Sequence, residues 1–163
     1  MTTSELLAAH LKNDLGMITW HLADFSEADM LVRPCSTANH GNWQVGHAVS
    51  STGRLLEKVD SGFVTTVSSE LAEKYTKESS KVDDASKFAT LEELRSAIAK
   101  LADAAAAWVS EMPQEKLDAK SPDWAKDWAP TNGLLLAGIA SHVQMHIGQL
   151  QVIRRRLGKP ILF

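Results

Sequence analysis

Ser141-His142-Val143-Gln144-Met145-His146-Ile147-Gly148-Gln149-Leu150 carries two histidines four residues apart inside a long apolar-periodic run. Residues at i and i+4 of a helix stack on one face with Cβ atoms about 5–6 Å apart, so both imidazoles can point at one small object. Around the pair, Leu135, Ile139, His142, His146, Gln149 and Ile153 recur at alternating steps of four and three. That is the spacing of a seam facing the inside of a bundle, and it predicts one helix over residues 132–157 with both histidines turned inward. A buried polar group without a partner costs about 1–3 kcal/mol, so each imidazole needs a hydrogen-bond partner or a metal. Two readings stand at this point: satisfied core histidines or a chelating pair.

The chain has 163 residues, 44% hydrophobic and 23% charged, which suits a single globular domain over residues 1–163 and sets disordered and fibrous classes aside. The balance of 17 basic and 20 acidic residues gives a net charge of −3, so no nucleic-acid partner is expected. Arg154-Arg155-Arg156 is the one basic cluster, placed where cations complement the negative end of a helix. The single cysteine, Cys35, allows no internal disulfide and fits a reducing compartment. No leader pattern opens the chain, and its longest apolar run falls far short of the roughly 20 residues that span a bilayer. A cytoplasmic protein with no membrane partner is expected.

Thr2 and Glu5 match a capping box, and apolar residues at helical spacing predict a first helix over residues 3–25. Asp14 and His21 fall on or near its stripe. They read as exposed edge residues, with support behind a metal site as the alternative. Residues 26–42 read as a connection with a short turn at 26–31 and a stop at Pro34; Cys35 and His40, within it, read as bystanders. Asn42 is placed as the cap of a second helix reaching about Asp60, with His47 in line with Leu55 and Val59 and opposite a polar face of Ser50, Ser51 and Arg54. Residues 61–89 form a long polar excursion with one short amphipathic helix over 69–77, either a functional lid or a mobile connection. Thr90 and Glu93 form a second capping box opening a helix that reaches about Met112. Pro113 and Pro122 suit first helical positions, and Trp124 and Trp128 are placed over one end of the bundle. Four helices of roughly 20 residues with two long connections indicate an all-α four-helix bundle.

At 1.5 Å per residue, His47 lies about 7 Å into its helix and the His142/His146 pair about 16–22 Å from either end of theirs, which permits contact with a modest stagger. Three neutral imidazoles with no fourth protein ligand describe an open, catalytic type of site. Imidazole ligation suits zinc or nickel, with iron, manganese and copper also compatible. Val143 follows His142, so the zincin His-Glu-x-x-His motif is absent, and no Glu stands three residues before any His as in di-iron bundles.

Arg33-Pro34, Asn42-Trp43-Gln44-Val45-Gly46-His47, and His142-x-x-x-His146-x-Gly148-Gln149 followed by residues 154–158 resemble the DinB-like superfamily, also called DinB/YfiT-like metalloenzymes. The resemblance covers most of the chain; only residues 61–89 carry no matching motif. It implies a bundle of up-down-down-up topology in which His47, His142 and His146 bind a divalent metal. It also implies a small-molecule substrate, often with a low-molecular-weight thiol as co-substrate, and pairing into homodimers. Characterised relatives include thiol S-transferases and isomerases, so the leading expectation is a metal-dependent thiol S-transferase, with metal-activated hydrolysis less favoured. The alternatives are a non-catalytic, stress-associated module binding metal or a small molecule, and a purely structural bundle. No Glu neighbours the ligands to act as a base, and Gln149 is assigned to core hydrogen bonding ahead of ligand contact.

Overall fold

The computed structural model describes residues 1–162. Six helices follow in order: α1 (Thr3–His21), α2 (Gly41–Val59), α3 (Ser69–Glu73), α4 (Leu91–Ser110), α5 (Gln114–Asp118) and α6 (Asn132–Arg156). Short 3-10 turns occur at Asp29–Leu31, Ser79–Lys81 and Ala85–Lys87. The described residues contain no strand, only an isolated bridge between Lys120 and Thr131. No helix among them is long and apolar enough to cross a membrane.

Helix directions follow from the contacts. Lys12 pairs with Asp103 at 2.9 Å and Arg95 donates to the Leu22 carbonyl at 2.6 Å, so α1 and α4 run antiparallel. Gln144 donates to Asp14 at 3.1 Å and Arg154 to the His21 carbonyl at 2.7 Å, so α6 runs parallel to α1. Gln44 meets His146, and His47 faces both His142 and His146, which sets α2 antiparallel to α6. Asn42 donates to the Ala89 carbonyl just ahead of α4, while Phe63, just past α2, packs on Trp108 near the end of α4, so these two are parallel. The four long helices thus form the all-α bundle that the apolar spacing predicts, in the up-down-down-up order that the family resemblance implies. Their buried apolar side chains make one connected cluster.

Both capping boxes are present, Thr2 with Glu5 and Thr90 with Glu93. The first helix ends at His21, four residues earlier than its apolar spacing suggests. The reason lies in its last carbonyls: those of His21 and Leu22, which a continuing helix would occupy, accept from Arg154 and Arg95 instead. The second helix is capped by His40, not Asn42. His40 Nδ1 accepts from Trp43 N at 3.1 Å, and its Nε2 contacts the Val82 carbonyl at 3.1 Å, so this connection residue is a buried structural post.

The excursion over 61–89 packs as the outer wall of α2, with Phe63, Val67, Tyr75, Phe88 and Ala89 all buried. Two glycines admit it. A Cβ on Gly46 would lie 2.1 Å from the Tyr75 ring, and one on Gly53 would lie 2.3 Å from Thr65 Oγ1. Ser50 and Ser51, expected on a polar outer face, are consequently buried, whereas Arg54 stays exposed. Pro113 is the N-cap of α5 and not its first residue. Trp124 and Trp128 remain partly exposed, Trp128 lying against Gly138 and Trp124 beneath the Lys58 ammonium at 5.8 Å.

The basic cluster divides by burial. Arg154 is 1% exposed, engages both carboxylate oxygens of Asp24, and donates to the His21 and Pro160 carbonyls. Asp24 is held below the usual carboxylate range, first by that hydrogen-bonded guanidinium. Arg155 is exposed. Arg154→Ala should therefore cost about 3 kcal/mol by stranding buried carbonyls, against less than about 0.5 kcal/mol for Arg155→Ala. Urea unfolding of the two variants measures the difference; equal midpoints would remove Arg154 from its structural role.

Candidate metal centre

His47 stands in the second turn of α2, while His142 and His146 occupy consecutive positions on one side of α6. His146 is buried, and His47 and His142 are half-buried at the mouth. One nitrogen from each imidazole lies within 4.8 Å of the other two, and among the described residues this is the one His/Cys/Asp/Glu group with that geometry. Ring centroids are separated by 5.6 Å for His47 and His142, 5.3 Å for His47 and His146, and 4.6 Å for His142 and His146. The Nε2 atoms of His142 and His146 are 3.2 Å apart. Two nitrogens each about 2.0–2.1 Å from a shared tetrahedral ion sit roughly 3.3 Å from one another, so this separation is already that of a chelate.

A partner behind His146 decides which of its nitrogens is free. Its Nδ1 lies 2.6 Å from Gln44 Oε1, and Gln44 Nε2 donates to the Asn39 carbonyl at 3.5 Å. With the amide oriented this way its oxygen can only accept, so Nδ1 carries the proton and Nε2 presents its lone pair to the cluster. Gln44 thus plays the orienting part that a carboxylate or carbonyl commonly plays behind a metal-bound histidine. His47 is held from another side: its ring stacks on Trp43 at 4.5 Å and 7°, and Trp43 Nε1 donates to the Thr76 carbonyl and Ser79 Oγ. The wall built by residues 75–79 thereby fixes the third imidazole.

All three rings are kept neutral. Burial lowers the His146 pKa to about 3, with the neighbouring His142 and His47 adding to the effect. Burial also lowers His142, and lowers His47 with help from His142, while the Tyr75 carbonyl opposes the shift at His47. Lone pairs are therefore available at neutral pH. Nδ1 of His142 is buried with no hydrogen-bond partner among the described residues, an arrangement costly for a purely structural core. On donor type, spacing and protonation, the triad fits a divalent ion with open positions.

Other candidates fall elsewhere. Asp14 and His21, read from the sequence as exposed edge residues, are 1% and 0% exposed because α6 covers that side of α1. Neither belongs to the cluster: Asp14 binds Gln144 and neighbours His10, and His21 Nδ1 meets the Met17 carbonyl. Cys35 is an exposed thiol beside Thr37. Gln149 is half-buried. The supporting amide is Gln44, whose legible sign was its place three residues before His47, on the same side of α2. A groove of about 470 Å³ between α3 and α4 and a concavity of about 510 Å³ near Arg33 and Arg156 contain none of the three histidines.

A family profile of the DinB superfamily matches residues 10–150, a span that includes all three histidines, and the chain belongs to that superfamily. No curated protein and no solved structure matches the chain.

The three depressed histidine pKa values fix the sign of a pH effect. Below about 6.5 the unfolded chain takes up protons that the folded cluster refuses, down to about 3 for His146. Their contribution to stability is complete above pH 6.5 and is lost on acidification. Urea unfolding in chelator should show a falling midpoint between pH 7 and pH 5, and the His47→Ala, His142→Ala, His146→Ala triple variant should make that segment shallower, leaving the part owed to buried His21 and His40. An unchanged slope would mean that the rings protonate freely in the fold.

Proposed function

We propose that His47, His142 and His146 hold a divalent ion, zinc or nickel before others, and that the protein uses it as a metal-dependent enzyme on a small-molecule thiol, in the class of thiol S-transferases. The observation that carries this reading is the convergence of three neutral imidazole nitrogens, one of them oriented by Gln44, with no fourth protein ligand among the described residues. A bound divalent ion supplies Lewis acidity that lowers the pKa of a thiol and favours the nucleophilic thiolate. The chain's own groups do the rest. Gln44 holds the His146 proton on Nδ1, Trp43 and residues 75–79 shield His47, and the half-buried His142 side admits the substrate. Arg54 places positive charge close enough to disfavour protonation of His47, and the same field favours a thiol that carries carboxylates. In the transfer, sulfur bonds to an electrophilic carbon as the leaving group departs with its electron pair, and the thiol proton passes to solvent. Cytoplasmic residence suits this chemistry, since the exposed Cys35 is free.

A second reading has its own observation. No carboxylate joins the three histidines in the cluster among the described residues, and a site without an adjacent base also suits a binding or sensing module without turnover.

Elemental analysis of protein purified without added metal should find close to one divalent ion per chain, falling to background in the triple alanine variant. Undiminished metal in that variant would end the proposal. Gln44→Leu should weaken metal binding by about 10–100-fold while leaving the fold intact, measured by competition with a chromogenic chelator. A panel of carboxylate-bearing thiols with soft electrophiles then separates the two readings: turnover that follows metal content supports the transferase, and full metal occupancy without turnover supports the binding module.

A further inference from the structure

We propose that His10, Asp14 and Gln144 form a second site for a divalent transition-metal ion such as zinc, separate from the histidine triad and clasping α1 to α6. His10 and Asp14 stand four residues apart on α1, so both side chains reach one point on its surface. Gln144 meets them from α6. At about 100° per residue it points away from His142 and His146, which lie two positions to either side of it.

Asp14 is 1% exposed, and its Oδ2 is buried without a hydrogen-bond partner among the described residues. His10 Nε2 lies 3.3 Å from that oxygen, while Gln144 Nε2 lies 3.1 Å from both His10 Nε2 and Asp14 Oδ1. Full-time cations stay away: residues 132–153 of α6 contain no Lys or Arg, and Lys12 of α1 turns to Asp103. Burial accordingly raises the Asp14 carboxyl above its usual range, against the opposing effects of Gln144 and His10.

With Asp14 ionised, no placement of protons satisfies all three contacts. If His10 Nε2 accepts from the Gln144 amide, it has no proton for Asp14 Oδ2. If Nε2 carries the proton, it serves Oδ2 but confronts the Gln144 N–H. Turning the amide over gives Nε2–H an acceptor and sets the amide oxygen against Asp14 Oδ1. A divalent ion resolves the conflict by taking lone pairs from His10 Nε2 and Asp14 Oδ2 together. Their 3.3 Å separation is what two donors about 2.0–2.1 Å from one tetrahedral ion adopt, roughly 3.3 Å. A half-turn of the amide brings Gln144 Oε1 in as a third donor, and water completes the shell. Imidazole with oxygen donors is a set that borderline ions such as zinc accept. The His10 side chain is 42% exposed and Gln144 is exposed, so the ion enters from solvent. Because the donors come from the first and last long helices, the ion binds the folded chain and stabilises it.

Calorimetric titration of the metal-stripped full chain with zinc chloride near neutral pH counts the ions. The wild type should take up two per chain, one at the triad and one here. His10→Ala and Asp14→Asn should each take up one fewer, and the triple alanine variant of the triad should keep the ion that His10→Ala loses. Gln144→Glu adds a charged oxygen donor and should bind that ion about tenfold more tightly. Excess zinc should raise the melting temperature of the triple variant, and this shift should vanish when His10→Ala is added. His10→Ala binding as many ions as the wild type overturns the proposal. Retention of the ion by Asp14→Asn does the same, since the site would then be a surface imidazole alone. If the triad holds no metal, the His10-dependent ion is still counted, so the two sites fail separately; the wild type and His10→Ala suffice if the triple variant does not fold.

Discussion

Helix α2 has almost no solvent face, and most of what distinguishes this bundle follows from that constraint. α6 covers one flank, α4 another, and residues 61–89 the side that a four-helix bundle normally leaves to water. A helix enclosed in this way must be apolar or carry small polar groups that find partners nearby. α2 does both: Val45, Val49 and Leu56 are fully buried, and Ser51 returns its hydroxyl to the His47 carbonyl at 2.6 Å. Gly46 and Gly53 remove the side chains that would hold the wall away. Tyr75 then fills the space over Gly46, donating to Asn42 and accepting from Ala89 N, with burial pushing its phenol pKa up. Its hydroxyl is committed to holding the wall.

The same enclosure makes the histidine cluster chemically distinctive. Desolvation is the leading cause of the lowered pKa of all three rings, and it comes from packing α2 between α6 and the wall. Neutral imidazoles in a low-dielectric setting offer lone pairs and resist protonation, the state a metal requires. Fold and site therefore rest on one feature: loosening residues 75–79 would hydrate His47 and free Trp43 together.

Legibility in the sequence divides along physical lines. Signals with a short range were readable: the Thr2/Glu5 and Thr90/Glu93 capping boxes, the i, i+4 spacing of His142 and His146, and the inward positions of Leu135, Ile139, His146 and Ile153. Burial imposed from a distance was not. Ser50 and Ser51 look like a polar face because nothing local announces that residues 61–89 lie over them. Asp14 and His21 look like edge residues because α6, more than a hundred positions away, is what buries them. His40 lost its role to Asn42 because asparagine is the usual cap, whereas imidazole Nδ1 performs the same task here. Gln44 stands three residues before His47 and so on the same side of α2, but nothing local announces that its amide reaches across to His146 of α6.

The three histidines are not equivalent, and their differences give the site a direction. His146 is buried and backed by Gln44; His47 is half-buried and backed by the flat face of Trp43, itself tied to residues 76–79. His142 is half-buried, has no partner at Nδ1 among the described residues, and follows the exposed Ser141. A ligand without a supporting hydrogen bond is the least constrained in orientation and the weakest donor of a set. The rigid pair is therefore His146 with His47, drawn from different helices, and the i, i+4 pair that first stands out in the sequence combines the best-held imidazole with the loosest. Since solvent also reaches the cluster beside His142, the open edge of the cluster lies at the ring that can yield most easily. The firm side of the cluster rests on the contact between α2 and α6, and its open side lies at the His142 edge of α6.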